Sequence, residues 1–137
     1  MGKRKSSAQL TPLELQIMKV LWETGPANVQ TVQSRIPGSS KLAYTTVQTM
    51  LNVLHRKGRV KRVLRGRAYE YEPVLTQERA ETHAVRDMID RLFGGSVESL
   101  LMTLVRTRQL DPRKFKKLSS LVDQHELRNK EKHHGDD

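Results

Sequence analysis

The sequence contains no cysteine and few aromatic residues, and these absences narrow the range of possible functions. Without thiols the chain can form no disulfide, no thiolate metal site and no cysteine nucleophile, and it suits a reducing cytoplasm. Aromatic residues make up 4% of the chain, too few for a platform that stacks single-stranded bases. No apolar run approaches the roughly 20 residues that a membrane span requires, so we expect no membrane insertion.

Acidic residues are missing from the whole segment between Lys41 and Ala68. Residues 1–75 contain 13 Lys and Arg against 4 Asp and Glu, whereas residues 76–137 contain 12 against 11. Positive charge is therefore concentrated in the N-terminal half, which indicates a polyanionic partner for that half. Nucleic acid is the first candidate, and an anionic membrane surface is the weaker one.

Signatures of catalysis and metal binding are also scarce. The sequence has no glycine-rich phosphate loop and no nucleophile elbow. His83 and Asp87 share one helical face, but two ligands do not make a metal site. We therefore expect a binding protein rather than an enzyme, with no metal and no cofactor.

The spacing of apolar residues predicts three short helices in the N-terminal half. Thr11-Pro12-Leu13-Glu14 is a capping box that opens a helix over residues 12–23, and Gly25-Pro26 ends it. A second helix is predicted over residues 28–35. A third is predicted over residues 44–57, with one apolar stripe and with Gly58 as its C-terminal cap.

Two strands are predicted after the third helix, Val60–Leu64 and Ala68–Glu72, joined by a tight turn at Arg65-Gly66-Arg67. A polar-faced helix followed by a basic hairpin is typical of the winged helix-turn-helix, in which the helix enters the major groove. We predict this DNA-binding domain over residues 10–75, after a disordered basic arm at residues 1–9.

The outward side of the third helix carries hydrogen-bonding groups where a structural helix would carry Glu and Ala. Thr can bond a base or contact a thymine methyl, and Gln or Asn can pair bidentately with adenine. The predicted base-reading residues are Thr45, Thr46, Gln48, Thr49 and Asn52. Residues predicted to contact phosphate, and so to supply affinity rather than sequence preference, are Lys41, Tyr44, Arg56, Lys57, Arg59, Lys61, Arg62, Arg65 and Arg67, with Lys3, Arg4 and Lys5 of the arm as additions.

The C-terminal half is predicted to be helical over about residues 76–93, 96–107 and 112–126, followed by a charged flexible tail at residues 127–137. Three helices without a sheet form a poor independent core in about 50 residues. The simplest cover for their apolar stripes is a second copy of the chain, which makes residues 76–126 a dimerisation domain. The predicted interface residues are Leu92, Val97, Leu100, Leu101, Leu104, Val105, Phe115, Leu118, Leu121 and Val122. The fold class is thus mainly α, a winged helix-turn-helix domain with a small β-hairpin plus an all-α dimerisation domain.

Four stretches resemble the BlaI/MecI/CopY family, named for the penicillinase and methicillin-resistance repressors. They are LTPLELQIMKVLWETGPANVQTVQ, AYTTVQTMLNVLHRKGRVKR, GRAYEYEPV and LFGGSVESLLMTLV, and together they cover most of residues 10–105. The resemblance implies a homodimer that binds a palindromic double-stranded DNA operator with TACA/TGTA-like half-sites and represses transcription. Its recognition helix would be the one that matches Tyr44–Lys57, and its basic wing would lie at about residues 59–72.

The chain also departs from the family pattern. Penicillinase-type members are inactivated when a membrane sensor triggers cleavage at an Asn-Phe bond, and the matching dipeptide here is Thr103-Leu104. An inducing protease or membrane sensor therefore stays open as a partner. The cysteine motif of copper-responsive members is missing, and several relatives have Lys where Thr45 stands. Two other functions stay open on the residues alone, a non-specific architectural DNA binder and a winged-helix module for protein–protein interaction.

Overall fold

The computed structural model describes residues 9–38 and 42–135, with side chains as far as Lys132. The elements in chain order are α1 (Pro12–Thr24), β1 (Ala27–Asn28), α2 (Val29–Arg35), α3 (Tyr44–Arg56), β2 (Val60–Arg65), β3 (Ala68–Pro73), α4 (Gln77–Leu92), α5 (Val97–Arg106) and α6 (Pro112–Gly135). The predicted fold class is confirmed, because helices dominate, one small antiparallel sheet is present, and the hairpin of that sheet follows the third helix. The predicted helices and hairpin strands agree with the observed ones within one or two residues at each end, except for the end of α6.

The chain divides into two compact units, Met1–Asp87 and Met88–Asp137. The predicted division between residues 75 and 76 lies earlier, because the first half of α4 belongs to the first unit. Ala80 packs against the core of that unit, and the side-chain amide of Gln9 donates to the carbonyl of His83 over 3.2 Å. Arm residues 1–8 lie outside the described residues.

Local capping explains why α1 begins where it does. The hydroxyl of Thr11 accepts a hydrogen bond from the Glu14 amide over 3.2 Å, and the Thr11 amide donates to Glu14 Oε1 over 2.8 Å. This is the predicted capping box, in which two otherwise unpaired backbone donors at the helix start are satisfied.

The sheet has the order β1-β3-β2 and contains one strand that the sequence does not reveal. Two-residue β1 pairs antiparallel with β3, with Ala27 opposite Tyr71 and Asn28 opposite Glu70. Two residues are too short to show the alternation by which strands are recognised in sequence. This strand fixes one edge of the hairpin to the residues that open α2.

A single core holds the helices and sheet of the first unit together. Its buried members are Ile17, Met18, Val20, Leu21, Ala27, Val29, Val32, Val47, Leu51, Leu54, Val60, Tyr71 and Leu75. Trp22 is partly buried against this cluster, and its indole N–H donates to the carbonyl of Leu75 over 2.9 Å. The apolar stripes of α1, α2 and α3 therefore meet in one core.

Helix α6 continues well beyond its predicted end near residue 126 and runs to Gly135, so the prediction that helical structure stops there is wrong. The segment after Glu126 is rich in Glu, Lys, Arg and Leu, which are good helix formers, and it contains no Gly or Pro before Gly135. Glu126 and Lys130 also stand at the favourable i,i+4 spacing. High charge alone therefore did not end the helix.

Candidate nucleic-acid interface

Helix α3 presents a polar face to solvent because its buried apolar residues lie together on the side that packs against the core. Val47, Leu51 and Leu54 are fully buried, and they recur at the three- to four-residue spacing of one helical face. Four of the five predicted base-reading residues lie on the exposed part of the helix, namely Thr45, Thr46, Gln48 and Thr49. These side chains stand together near the N-terminal end, where a recognition helix approaches base edges.

The N-terminal end of α3 differs from that of other helices in this chain. Helices α1, α2 and α5 are capped by the side chains of Thr11, Asn28 and Ser96. Helix α3 is preceded by Ala43, which offers no capping side chain, and its first turn contains no acidic residue. Among the residues that the structure describes, no side chain caps the backbone N–H groups at this helix start, and no acidic residue of the first turn offsets the positive end of the helix dipole.

The fifth predicted base reader, Asn52, is half-buried and bonded inside the protein. The Tyr71 hydroxyl donates to Asn52 Oδ1 over 3.1 Å, and Arg62 Nη1 donates to the same oxygen over 3.3 Å. Tyr71 is buried and belongs to β3, so Asn52 joins α3 to the hairpin. Its side chain has a structural contact that the sequence pattern did not indicate.

The hairpin formed by β2 and β3 has two faces of different charge. Its outer face carries Lys61 and Arg65, which pair with Glu72 (3.0 Å) and Glu70 (3.6 Å), respectively. These acidic residues follow the acid-free segment in the chain, and the antiparallel register brings them back beside its cations. The outer face is thus close to charge balance, and Lys61 and Arg65 are less available to phosphate than the sequence suggested.

The other face of the hairpin, shared with the buried Tyr71, carries Arg62 and Tyr69. The Arg62 guanidinium carbon lies 4.5 Å from the centre of the Tyr69 ring, a cation–π contact that leaves the positive charge unneutralised. Arg67 stands at the exposed hairpin turn beside Gly66, where the two-residue connection needs a positive φ at its first position and Gly66 has φ 66°. Arg62 and Arg67 are therefore the hairpin cations best placed to meet an anion.

Lys57 has a structural partner as well. Its ammonium lies 2.8 Å from Oε2 of Glu14, whose side chain is 1% exposed, so this pair ties the end of α3 to the start of α1. Burial by itself would raise the pKa of Glu14, but hydrogen bonds from Lys57 and Thr11 and the charge of Lys57 outweigh it and lower that pKa. Lys57 thus holds the C-terminal end of α3 in position against α1.

The remaining predicted phosphate contacts lie in different environments. Tyr44 and Arg56 are exposed on α3. Arg59 is half-buried where the chain leaves α3, and its carbonyl accepts hydrogen bonds from the amides of Val74 and Leu75 over 2.8 and 3.0 Å. Lys41 and the three arm residues Lys3, Arg4 and Lys5 lie outside the described residues.

A crevice separates α3 from the hairpin and brings their functional side chains to one space. It has a volume of about 210 Å³ and is lined by Asn28, Val29, Gln30, Tyr44, Gln48, Arg67, Ala68, Tyr69 and Tyr71. Gln48 supplies hydrogen-bonding groups from the helix side, and Arg67 supplies positive charge from the hairpin turn. The crevice can therefore hold a polar, anionic edge between the helix and the hairpin.

The second unit has a surface of a different kind. Eight predicted interface residues are exposed there: Leu92, Val97, Leu101, Val105, Phe115, Leu118, Leu121 and Val122. The other two, Leu100 and Leu104, are half-buried. We call these ten residues the apolar face; within the described part of the second unit, Leu110 is the single buried hydrophobic residue.

The described residues contain neither a membrane span nor a metal site. None of their helices is both long and apolar enough to cross a bilayer. No cluster of three or more His, Asp or Glu side chains in the part of the chain that the structure describes is arranged to hold a metal ion.

The sequence of this chain matches that of a known protein family. Residues 10–124 match the family model of the penicillinase repressor. The chain is 26% identical over 127 residues to a penicillinase repressor from Bacillus licheniformis, covering 93% of this chain and 99% of that protein. It is 39% identical over 67 residues to the transcriptional regulator BlaI of Mycobacterium tuberculosis, covering 48% of this chain and 49% of that protein.

Solved structures are similar over about half of the chain. The monomeric form of Bacillus licheniformis BlaI in complex with the blaP half-operator is 31% identical, with a TM-score of 0.44, and the match covers 52% of this chain and 87% of that one. The DNA-binding domain of the repressor BlaI is also 31% identical over the same shares of the two chains, with a TM-score of 0.46.

Proposed function

Because this chain belongs to the penicillinase repressor family, a family of transcriptional repressors, we propose that it represses transcription as a homodimer bound to a palindromic operator with TACA/TGTA-like half-sites. The observation that carries this proposal is the exposed polar face of α3, flanked by unneutralised hairpin cations and backed by a complete core. A relative named as a penicillinase repressor, matched over nearly its whole length, supports the same function.

The recognition step follows from the chemistry of the two elements. Helix α3 enters the major groove, where Thr45, Thr46, Gln48 and Thr49 reach base edges from its exposed N-terminal half. The uncapped start of the helix favours a phosphate oxygen at the groove edge. These contacts determine the register of the protein on the duplex and the sequence that it prefers.

The hairpin supplies affinity from the other side of the crevice. Arg67 at the turn, and Arg62 above the Tyr69 ring, meet the phosphate backbone next to the groove that α3 occupies. Lys61 and Arg65 contribute less, because Glu72 and Glu70 already offset part of their charge. The wing thus binds DNA mainly through its turn and its inner face.

Dimerisation is the second part of the proposal and rests on the apolar face. In the described part of the second unit, one hydrophobic residue is buried and eight predicted interface residues are exposed. These exposed apolar side chains need a surface to pack against, and the same face of a second copy provides one by two-fold symmetry. Two linked DNA-binding units raise the operator affinity far above that of one unit, because the second half-site binds at a high effective concentration. The proposal includes action in the cytoplasm, as the cysteine-free sequence predicts.

Selection of bound sequences from a random DNA pool, at about 0.15 M salt, tests the proposal directly. The full chain should enrich a two-fold palindrome, and the Gln48→Ala variant should relax the preference at one base pair of each half-site. Salt-dependent binding without enrichment would instead establish the architectural DNA binder. No binding to any duplex would favour the protein–protein interaction module.

A further inference from the structure

The side-chain oxygen of Asn52 has no free hydrogen-bonding capacity. An amide oxygen offers two lone pairs. One accepts the hydroxyl of Tyr71 over 3.1 Å, and the other accepts Nη1 of Arg62 over 3.3 Å. Both donors come from the hairpin, whereas Asn52 belongs to α3. The hairpin therefore uses up the hydrogen-bond acceptor of a residue on the proposed recognition helix.

The chemistry of Arg62 settles which way the Asn52 amide points. A guanidinium group can only donate hydrogen bonds, so the Asn52 atom that faces it has to be the oxygen and not the nitrogen. The nitrogen Nδ2 therefore takes the opposite position, and it has no hydrogen-bond partner among the described residues. Asn52 is half-exposed, which leaves its two N–H donors accessible from solvent.

The two hairpin donors are themselves held in place. Tyr71 is 2% exposed and packs within the core of the first unit, so its hydroxyl has little freedom to leave Asn52. The Arg62 guanidinium carbon lies 4.5 Å from the centre of the Tyr69 ring, which restrains the second donor. The orientation of Asn52 is thus fixed before any partner binds.

We propose that Tyr71 and Arg62 make Asn52 a donor-only reader of the operator, and this inference rests on the proposed DNA-binding function. Bidentate pairing with adenine requires a free oxygen to accept from the adenine amino group, and Asn52 has none. The sequence-based expectation of such a pair at Asn52 therefore does not hold in this arrangement. Asn52 instead donates to an acceptor on a base edge and discriminates against cytosine, whose major-groove edge offers an amino donor. Tyr71 acts as a positioning residue.

Base preferences of a Tyr71→Phe variant test this role, because phenylalanine keeps the buried ring and removes only the donor. The relevant base position is the one at which Asn52→Ala loses discrimination in selection from a random pool at about 0.15 M salt. There the unmodified chain should disfavour cytosine. Tyr71→Phe should raise the relative preference for adenine or cytosine about five- to tenfold, because the freed lone pair can accept from their amino groups.

Two matched variants show whether the effect passes through Asn52. The double variant Tyr71→Phe/Asn52→Ala should have the same base preferences as Asn52→Ala alone. The control Thr82→Val, which loses a hydroxyl from α4 of the same unit and outside the proposed interface, should keep the unmodified preferences. A Tyr71→Phe profile identical to that of the unmodified chain would overturn the inference, as would a shift that persists without Asn52.

A measurement on the DNA-free protein separates this inference from the proposed function. The ¹³Cγ resonance of Asn52 should shift in Tyr71→Phe and stay in place in Thr82→Val, because the Tyr71 hydroxyl donates to the Asn52 carbonyl group whereas the Thr82 hydroxyl donates to the carbonyl of Glu78. An unshifted resonance in Tyr71→Phe would overturn the inference even if DNA binding were normal. A shifted resonance in a protein that enriches no palindrome would support the internal arrangement and count against the operator function alone.

Discussion

In the first unit thirteen hydrophobic residues are buried against one another, whereas in the described part of the second unit Leu110 is the single buried one. The first unit therefore contains the apolar contacts that stabilise its own fold. The second unit exposes comparable side chains along α5 and α6 and needs another surface to bury them. The comparison suggests that one unit folds by itself and that folding of the other is coupled to association.

The largest expected effect comes from charging the apolar face. Leu101→Asp introduces a carboxylate among residues that the proposed interface buries, so we expect a monomer by light scattering at micromolar concentration. Operator affinity should fall by about 10²- to 10⁴-fold, because the two half-sites are then bound by separate molecules.

Ser99→Asp provides the matched control for this change. It adds the same charge to the first turn of α5, outside the apolar face, where a negative charge is favourable. The variant should remain dimeric. A Leu101→Asp protein that stays dimeric would remove the basis for contrasting the two units.

The next effect sharpens the contrast by measuring the stability of the first unit in the absence of a partner copy. In the monomeric Leu101→Asp background, Leu51→Ala should lower the free energy of unfolding of the first unit by about 2–5 kcal/mol, because it leaves a cavity in the core. Leu92→Ala, at a residue that is 75% exposed, should change it by less than about 0.5 kcal/mol. Denaturation followed by the fluorescence of Trp22, the single tryptophan, reports on the first unit. Equal losses for the two variants would contradict the assignment of the core.

A smaller effect separates the residues of the first unit that determine sequence specificity from those that supply affinity for any DNA. Gln48→Ala should lose about 1–3 kcal/mol of discrimination at one base pair per half-site while binding random DNA almost unchanged. Arg67→Ala should weaken binding to all sequences and reduce the salt slope by about 0.9 for each phosphate that the variant no longer neutralises. Arg65→Ala is the control, and its slope should change less because Glu70 already offsets that charge. Titrations on operator and random duplexes at several salt concentrations measure both quantities, and indistinguishable effects of Gln48→Ala and Arg67→Ala would refute the division.

The smallest effect concerns the pH dependence of the first unit. Folding lowers the pKa of Glu14, so its ion pair with Lys57 stabilises the fold above the unfolded pKa near 4.5, and this contribution disappears as the pH falls through the lower, folded value. Glu14→Gln should therefore destabilise the protein by about 1–2 kcal/mol at pH 7, with the difference shrinking below about pH 4.5. Glu72→Gln, in an exposed pair, should cost less than about 1 kcal/mol. A difference between Glu14→Gln and the unmodified chain that stays constant from pH 7 to pH 3 would contradict this account.

The features that the sequence predicted well are those that depend on neighbours along the chain. The capping box at Thr11 and Glu14, the turn at Gly66 and the apolar stripe of α3 each arise within a few residues, and each is present in the structure. The polar face of α3 follows directly, because fixing the buried side of a helix also fixes the exposed side.

The features that the sequence missed join residues far apart. Lys57 and Glu14 are 43 positions apart, and Tyr71 and Asn52 are 19 apart. Side-chain patterns do not show which of many polar groups meet once the chain has folded. For the same reason, all cations of the hairpin were predicted to be available to phosphate. The pairing of Lys61 with Glu72 follows only from the strand register.

The strand register also constrains how the length of the wing can vary. Alternate residues of β2 face the core side or the charged outer side, and Gly66-Arg67 connects the strands with two residues only. Inserting one residue into β3 ahead of Tyr71 would turn every side chain beyond it to the other face, moving the buried Tyr71 out of the core and a glutamate into its place. Adding one residue to each strand beside the turn lengthens the wing without altering the pairs below it. Wings of this design can therefore grow or shrink readily in steps of two residues, whereas single-residue changes require a bulge.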